Sequence, residues 1–289
     1  MQFSSEENID IKQEIKSGLY IVSTPIGNLG DITLRAIYLL KNSHLILCED
    51  TRTSMKLLKK FNINTKIMSY HKFNERKNLE KIIQLIKSNK VISLISDAGT
   101  PIISDPGMIL IKECIKNNIA VHPIPGPSAV ISAFSVSGFE EKFLFYGFLP
   151  NSESQIKKEV KNLCNLPYPI IFFVSSRKIN KVIKIFRTFF SGRQILIAKE
   201  MTKIYESFIR SDINSLDLSN YKIKGELTVV ISNKSYTKKK SINQLSESIT
   251  KEIRLMLKKY SNKDIANFIS KKENISKKLV YNYCLTLKK

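Results

Sequence analysis

The sequence predicts an α/β protein of two domains, the first with a mainly parallel sheet and the second with a mixed one, followed by a small basic helical module. Three observations carry this. Short β-branched and aromatic runs alternate with amphipathic stretches too long to be hairpin turns, so strands sharing a sheet must run parallel with crossover helices. A proline-dense segment, with Pro123, Pro125 and Pro127, interrupts the alternation. Beyond Asn233 the chain turns lysine-rich and helical. A length of 289 residues with 43% apolar content is enough for two cores.

The elements follow in order. Leu19–Ser23, His44–Cys48, Lys66–Tyr70 and Val91–Ile95 read as strands, each a short apolar or β-branched run. Thr33–Lys41, Thr53–Phe61 and Glu75–Ser88 read as the intervening amphipathic helices, with Asp31 or Thr33 able to cap the first. A helix from about Pro106 to Lys116 and a strand at Ile119–Ile124 complete this series. The expected divisions are a tail at 1–17, domains at 18–124 and 125–233, and a basic extension at 234–289. In the second domain, strands are expected at Phe143–Phe148, Ile170–Val174, Gln194–Ala198, Ile204–Ile209 and Glu226–Ile231. Helices at Ser152–Cys164 and Ile179–Phe190 separate the first three; the later links are short, which points to a mixed sheet.

Charge is uneven. Lys and Arg number 47 against 25 Asp and Glu, a net +22 that favours a polyanionic partner. From Lys234 onward there are 15 Lys and Arg against 4 Asp and Glu, a net +11, so half the excess lies in the last 56 residues. The segment "KSYTKKKSINQLSES" reads as a linker or docked arm. Two helices around a turn follow, Lys263–Lys271 and Ser276–Leu287, with Ser276 as N-cap. Ile265, Phe268, Ile269, Leu279, Val280 and Tyr283 are spaced to pack together, while Lys271, Lys272, Lys277 and Lys278 crowd the turn. These lysines read either as an RNA-facing surface or as a solvated face.

Cys48, Cys114, Cys164 and Cys284 stand singly, without a Cys-x-x-Cys pair or histidines at ligand spacing, so neither a disulfide framework nor a metal site is expected. The first 18 residues lack the basic and apolar regions of a signal peptide, and no apolar run approaches the roughly 18 residues of a membrane span. The expectation is a cytoplasmic protein.

In an open parallel sheet, ligands bind at the carboxyl ends of the strands. Three segments stand there: "STPIGNLGDITLRA" (23–36), "CEDTR" (48–52) and "SDAGTPIISDPG" (96–107). Thr33 occupies the third position of the would-be Gly-x-Gly-x-x-Gly pattern begun by Gly27 and Gly30, and no Gly-Lys-Ser/Thr occurs, which argues against a dinucleotide or a nucleoside triphosphate. Loops rich in glycine and proline suit S-adenosylmethionine, which asks for close main-chain approach rather than a phosphate cradle.

"LYIVSTPIGNLGDITLRAIYLLK", "CEDTRTSMKLL", "SYHKFNE", "SLISDAGTPIISDPG", "PIPGPSAVISAFSVSG", "FLFYGFLP", "AKEMTK" and "KGELTVV" occur in an order that resembles the ribosomal RNA small subunit methyltransferase I family, of the tetrapyrrole (class III) methylases. The resemblance spans residue 19 to about residue 232. It implies two domains of the tetrapyrrole methylase type, a C-terminal helix-turn-helix module, S-adenosylmethionine between the two domains, and methyl transfer to the ribose 2′-oxygen of a cytidine in the decoding region of 16S rRNA. It also implies a homodimer acting on the small ribosomal subunit.

By position in these motifs, the resemblance assigns Pro25, Ala98, Gly99, Thr100, Ile103, Ser128, Ala129, Val174 and Met201 to the cofactor. Gly99 is expected to let the main chain approach it and Pro101 to stiffen that approach, while Asp105 and Pro106 are expected to cap and open the next helix. The reaction needs alignment and removal of a hydroxyl proton, for which Asp50, His71 and Glu200 are candidates. Arg35 and Arg52 are expected to touch phosphates or substrate rather than to move protons. The sequence departs from the family at Lys72-Phe73, where "HEHNE" is usual, and at Val174, Arg177 and Lys178, where an acid and His-Arg are usual. Two rivals stay open: methylation of a precorrin- or uroporphyrinogen-type tetrapyrrole, and a non-catalytic ribosome-associated RNA-binding protein. The "SDAGTP" loop, where pigment enzymes carry Gly-Gly-Asp-Pro, and the basic extension weigh against the first.

Overall fold

The computed structural model describes residues 14–140, 142–234, 245, 247–257, 259–273 and 275–287. The expected tail therefore lies mostly outside the described residues, as does most of the linker after Lys234. Contacts divide the chain at Lys234/Ser235.

The first unit opens with β1 (Gly18–Val22), a run buried at every position. A 3-10 turn at Leu29–Asp31 leads to α1 (Leu34–Asn42), capped by the Thr33 hydroxyl, which accepts from the Ala36 N–H at 3.1 Å. There follow β2 (Leu45–Cys48), α2 (Thr51–Lys60), β3 (Ile67–Ser69), α3 (Glu75–Lys87), β4 (Val91–Leu94), α4 (Met108–Lys116) and β5 (Val121–Ile124). All five strands pair in parallel, in the order β3-β2-β4-β1-β5. Side chains alternate across the sheet. Tyr20, Val22 and Ile46 pack on one face with Ala36, Leu39 and Leu58, while Leu19, Ile21 and Leu47 pack on the other with Ile82, Ile86 and Leu110. Both faces are thus covered by helices, as a parallel sheet requires.

The proline-dense segment leads into α5 (Ala129–Ser135), which sequence periodicity did not announce. Then come β6 (Leu144–Phe148), α6 (Glu153–Leu163), β7 (Ile170–Ser175), α7 (Ile179–Phe189), β8 (Gln194–Lys199), β9 (Ser207–Asp212) and β10 (Glu226–Ile231). They form a second sheet in the order β6-β7-β10-β8-β9, in which β6 and β7 are parallel and the other pairs antiparallel. One face packs on α6 and α7 through Phe172, Val174, Phe186 and Phe190. The opposite face presents Ile171, Phe173 and Ala198 toward α5 and the loops from the first sheet.

Two local expectations are corrected. The strand expected at Ile204–Ile209 begins at Ser207, because Glu200 and Thr202 take positive φ (51° and 64°) and turn the chain through residues 200–205. Ile204 is left 95% exposed at that turn. Helix α4 starts at Met108 behind Gly107, whose φ of 126° suits glycine alone, so Asp105 and Pro106 are neither N-cap nor first helical residue.

The second unit contains α8 (Glu247–Met256), α9 (Asn262–Glu273) and α10 (Lys277–Thr286). Ile249, Ile253, Ile265, Ile269, Val280 and Cys284 form its core, with Tyr283 partly buried against them. Phe268, expected among them, is 52% exposed beneath the Lys272 ammonium, 6.0 Å from its ring centre. Ser276 precedes α10 as expected but makes no side-chain capping bond. Cys48, Cys114 and Cys284 are buried free thiols and Cys164 is half-buried.

Candidate active site

The carboxyl ends of β1, β4 and β5 each release a loop, and a network of short bonds ties the three together. Thr24 and Gly99 form an isolated antiparallel bridge, exchanging both backbone hydrogen bonds at 2.9 Å. The Thr24 hydroxyl donates to the Ser96 carbonyl at 3.0 Å. Thr100 donates its one hydroxyl proton to the Pro127 carbonyl at 3.1 Å, so Ser23, 3.0 Å away, must be the donor to Thr100. Gly99, with φ of 80°, makes the bridge possible. Its N–H and C=O are used within the protein, so its part is to bring the β4 loop against the β1 loop.

Beside this wall lies a cleft of about 310 Å³. Ala98, Gly99, Thr100, Ile103, Ser128, Ala129 and Met201, all assigned to a cofactor by the resemblance, line it. Two others do not. Pro25 is buried and absent from the lining, while the next residue, Ile26, does line the cleft. Val174 points its side chain into the α6–α7 core at 3% exposure, and its neighbour Phe173 faces the cleft because strand residues alternate.

The three proton-acceptor candidates separate. Glu200 lines the cleft, with its carboxylate 3.1 Å from the Lys203 ammonium. Asp50 is not among the lining residues; it caps α2, accepting from the Arg52 N–H at 2.8 Å, and is gripped by the same guanidinium at 3.1 and 2.8 Å. That hydrogen-bonded pair pulls the Asp50 carboxyl down to about 2. His71 lies outside the lining too, with Nδ1 accepting from the Phe73 N–H at 3.3 Å.

Sequence reasoning missed Asp105. Asp105 lines the cleft, and its carboxyl is pushed up to about 6, chiefly by burial and then by the neighbouring Glu49 and Asp97 carboxylates. A hydrogen bond with Ser96 and the Lys72 charge oppose this. Its neighbours Ile102 and Ser104 hold φ of 76° and 75°, a region that non-glycine residues rarely occupy. In sequence, Asp-Pro-Gly is a helix-start signature, which hid this orientation.

Among the described residues, the lining holds three acids, Asp105, Glu200 and Glu226, and one cation, Lys203, already paired with Glu200. Such a wall repels pyrophosphate and attracts a cation.

The model of the tetrapyrrole (corrin/porphyrin) methylases matches residues 18–217. Ribosomal RNA small subunit methyltransferase I of Rickettsia prowazekii is 42% identical over 276 residues, covering 90% of this chain and 98% of its own. The chain belongs to the ribosomal RNA small subunit methyltransferase I family. Its member from Thermotoga maritima is 41% identical over 220 residues, 75% of this chain and 98% of the relative, so about a quarter of this chain has no counterpart there. Solved structures share the fold. Cobalt precorrin-4 methyltransferase superposes with a TM-score of 0.54 at 16% identity, over 74% of this chain and 94% of that one. Uroporphyrin-III C-methyltransferase from Thermus thermophilus, complexed with S-adenosylhomocysteine, gives 0.52 at 12% identity, over 74% and 97%.

The residues expected on RNA belong to both units. Arg35 lines a small hollow with Tyr20 and Tyr38 rather than the cleft. Arg52 is 88% exposed in its side chain while held by Asp50. Lys271 and Lys272 end α9, and Lys277 and Lys278 open α10, all four exposed. Lys272 is committed to Glu252 at 2.6 Å. No described helix is long and apolar enough to cross a membrane.

Proposed function

We propose that the protein transfers the methyl group of S-adenosylmethionine to the ribose 2′-oxygen of a cytidine in the decoding region of 16S rRNA, within the small ribosomal subunit and as a homodimer. The observation that carries the reading is the acidic wall of the cleft in a chain of net charge +22. A sulfonium cofactor is favoured by that wall, whereas a phosphate-bearing one is not.

The residues present fit such a cofactor. A volume of about 310 Å³ falls at the lower end of small-molecule sites, and Ala98, Gly99, Ser128 and Ala129 keep the wall thin enough for close main-chain approach. Thr100, Ile103 and Met201 complete the set that would hold it, with Pro25 and Val174 supporting from behind. When bound, the cofactor supplies an electrophilic methyl carbon. The chain's share is to fix geometry, since alignment is the chief demand of an in-line displacement. The bonds joining Ser23, Thr24, Ser96, Gly99, Thr100 and Pro127 hold the wall before any ligand arrives. Arg35, Arg52 and the lysines of the second unit serve the RNA phosphates, a role supported by their charge.

The decisive experiment incubates the protein with labelled S-adenosylmethionine and small subunits lacking the methyl group, then maps the label. Label on one ribose 2′-oxygen in the decoding region supports the reading. Label on a uroporphyrinogen-type substrate alone would replace it with pigment methylation. Absence of cofactor binding by calorimetry would favour a non-catalytic binding protein.

A further inference from the structure

We infer that Asp105 is the catalytic proton acceptor, its carboxylate taking the proton of the attacking hydroxyl inside the cleft. This rests on the methyl transfer proposed above and assigns the group that the sequence left open.

Geometry separates Asp105 from the other acids. The Asp50 carboxylate is chelated by Arg52, and the Glu200 carboxylate is paired with Lys203. Glu226 lines the cleft from the exposed start of β10. Asp105 is half-buried in the lining, and no ion pair among the described residues engages it. The backbone is strained to put it there: Ile102 and Ser104 on its N-terminal side take left-handed φ, and Gly107 on its C-terminal side has φ of 126°. Non-glycine residues seldom occupy that region, and such strain concentrates where a side chain must be aimed. A relaxed Asp-Pro start to α4 would instead turn the carboxyl onto the helix N-terminus.

The groups facing Asp105 tune it toward this task. Burial, Glu49 beyond β2 and Asp97 beyond β4 raise it to about 6, against the pull of Ser96 and of Lys72 on the β3–α3 turn. At pH 7 to 8 it is ionised, yet it is more basic than an ordinary carboxylate. The step balances: the ribose oxygen forms its bond to the methyl carbon, the carbon–sulfur bond breaks with its electron pair left on sulfur, and the hydroxyl proton passes to Asp105.

The test uses the full chain, small subunits lacking the methyl group, and the D105N variant. Wild-type single-turnover rates are expected to fall below about pH 6 along a one-proton limb. D105N is expected to lose at least about 100-fold in rate and to flatten that limb, while S-adenosylhomocysteine affinity changes less than twofold. A readout apart from turnover is carbon-13 NMR of aspartate-labelled protein, in which one carboxyl should titrate near pH 6 and be missing from D105N. A wild-type rate in D105N, a surviving acid limb, or lost S-adenosylhomocysteine binding overturns the assignment. Should D105N fail to fold, wild-type NMR decides, since no carboxyl titrating near 6 also overturns it. A wild-type protein that binds cofactor but methylates no small subunit refutes the proposed function itself, a result distinct from any failure confined to the variant.

Discussion

Gly27 offers the sharpest steric test of the cleft. A Cβ built on it would sit 2.5 Å from Lys203 Cγ, 2.7 Å from Thr202 Oγ1 and 2.8 Å from the Met201 carbonyl oxygen. Lys203 can swing away, but the other two cannot easily yield. Met201 O is backbone, and Thr202 Oγ1 accepts from the Asn28 N–H at 2.9 Å. Gly27→Ala must therefore push the β1 loop from the 200–203 turn by roughly half an ångström or more to restore ordinary contact. That separation costs about 1 kcal/mol for the weakened Asn28–Thr202 bond, within an overpacking range of about 1–3 kcal/mol. It also separates Ile26 from Met201, which pack in one cluster and both line the cleft. A cost of about 1.4 kcal/mol falling on the bound state is a tenfold loss, so S-adenosylhomocysteine affinity by calorimetry should drop by about that factor. Because the clash is present without ligand too, the thermal midpoint should also fall, by about 2–4 °C. Gly30→Ala is the control, since its Cβ would meet Asn28 of its own loop at 3.2 Å and nothing across the cleft. Wild-type affinity in Gly27→Ala, or an equal loss in Gly30→Ala, would refute the loop contact as a determinant of the site.

Three further outcomes are expected. Asp105→Asn should stabilise the protein at pH 8: the folded carboxyl, at about 6, lies above its ordinary 3.8, so its ionisation costs stability above pH 6 and that cost vanishes as pH falls toward 4. After allowance for solvent screening the gain is about 1–2 kcal/mol, a few degrees in thermal midpoint, and an equal shift at pH 4 would contradict it. Arg193→Met should destabilise by about 3 kcal/mol in urea unfolding, because the buried guanidinium donates to the carbonyls of Ser232 at 3.2 Å, Cys164 at 2.5 Å and Leu166 at 3.2 Å, which are left unpaired. Deleting residues 234–289, net +11, should leave S-adenosylhomocysteine binding intact while weakening binding to small subunits and flattening its salt dependence; unchanged binding would make the module purely structural.

What the sequence could reveal followed from what sets each feature. Strands such as Val91–Leu94 are buried on both faces, so hydrophobic runs alone marked them to within a residue or two. Helix α5 escaped because its signal is seven residues long and sits behind three prolines that read as a boundary. The β9 start was misjudged because Ile204 and Tyr205 have strand-like chemistry, while positive φ at Glu200 and Thr202, residue types that give no warning of it, keeps them in a turn. At the site, the resemblance located the loops, but side-chain direction is a tertiary property. Strand alternation alone would have said that Phe173 and Val174 cannot face the same way. For Asp105 no local rule was available, since Asp-Pro-Gly carries the same signature whether the carboxyl caps the helix or turns from it.

The charge of this protein divides according to task. A large positive excess attracts an RNA-bearing particle at long range but would work against a cationic cofactor if it extended into the cleft. The lining resolves this by keeping its single lysine paired with Glu200 and by leaving Asp105 and Glu226 as the uncompensated charges. Asp105 itself is raised first by burial and then by Glu49 and Asp97, which stand outside the lining, against the pull of Ser96 and Lys72. Asp105 is the group common to both ends, a charge in the wall that favours a sulfonium and a base raised by its burial. Adding a cation to the wall at an exposed lining position, as in Phe148→Lys, should weaken cofactor binding and lower the pKa of Asp105 together, and a change in only one of them would show that the two are not electrostatically linked.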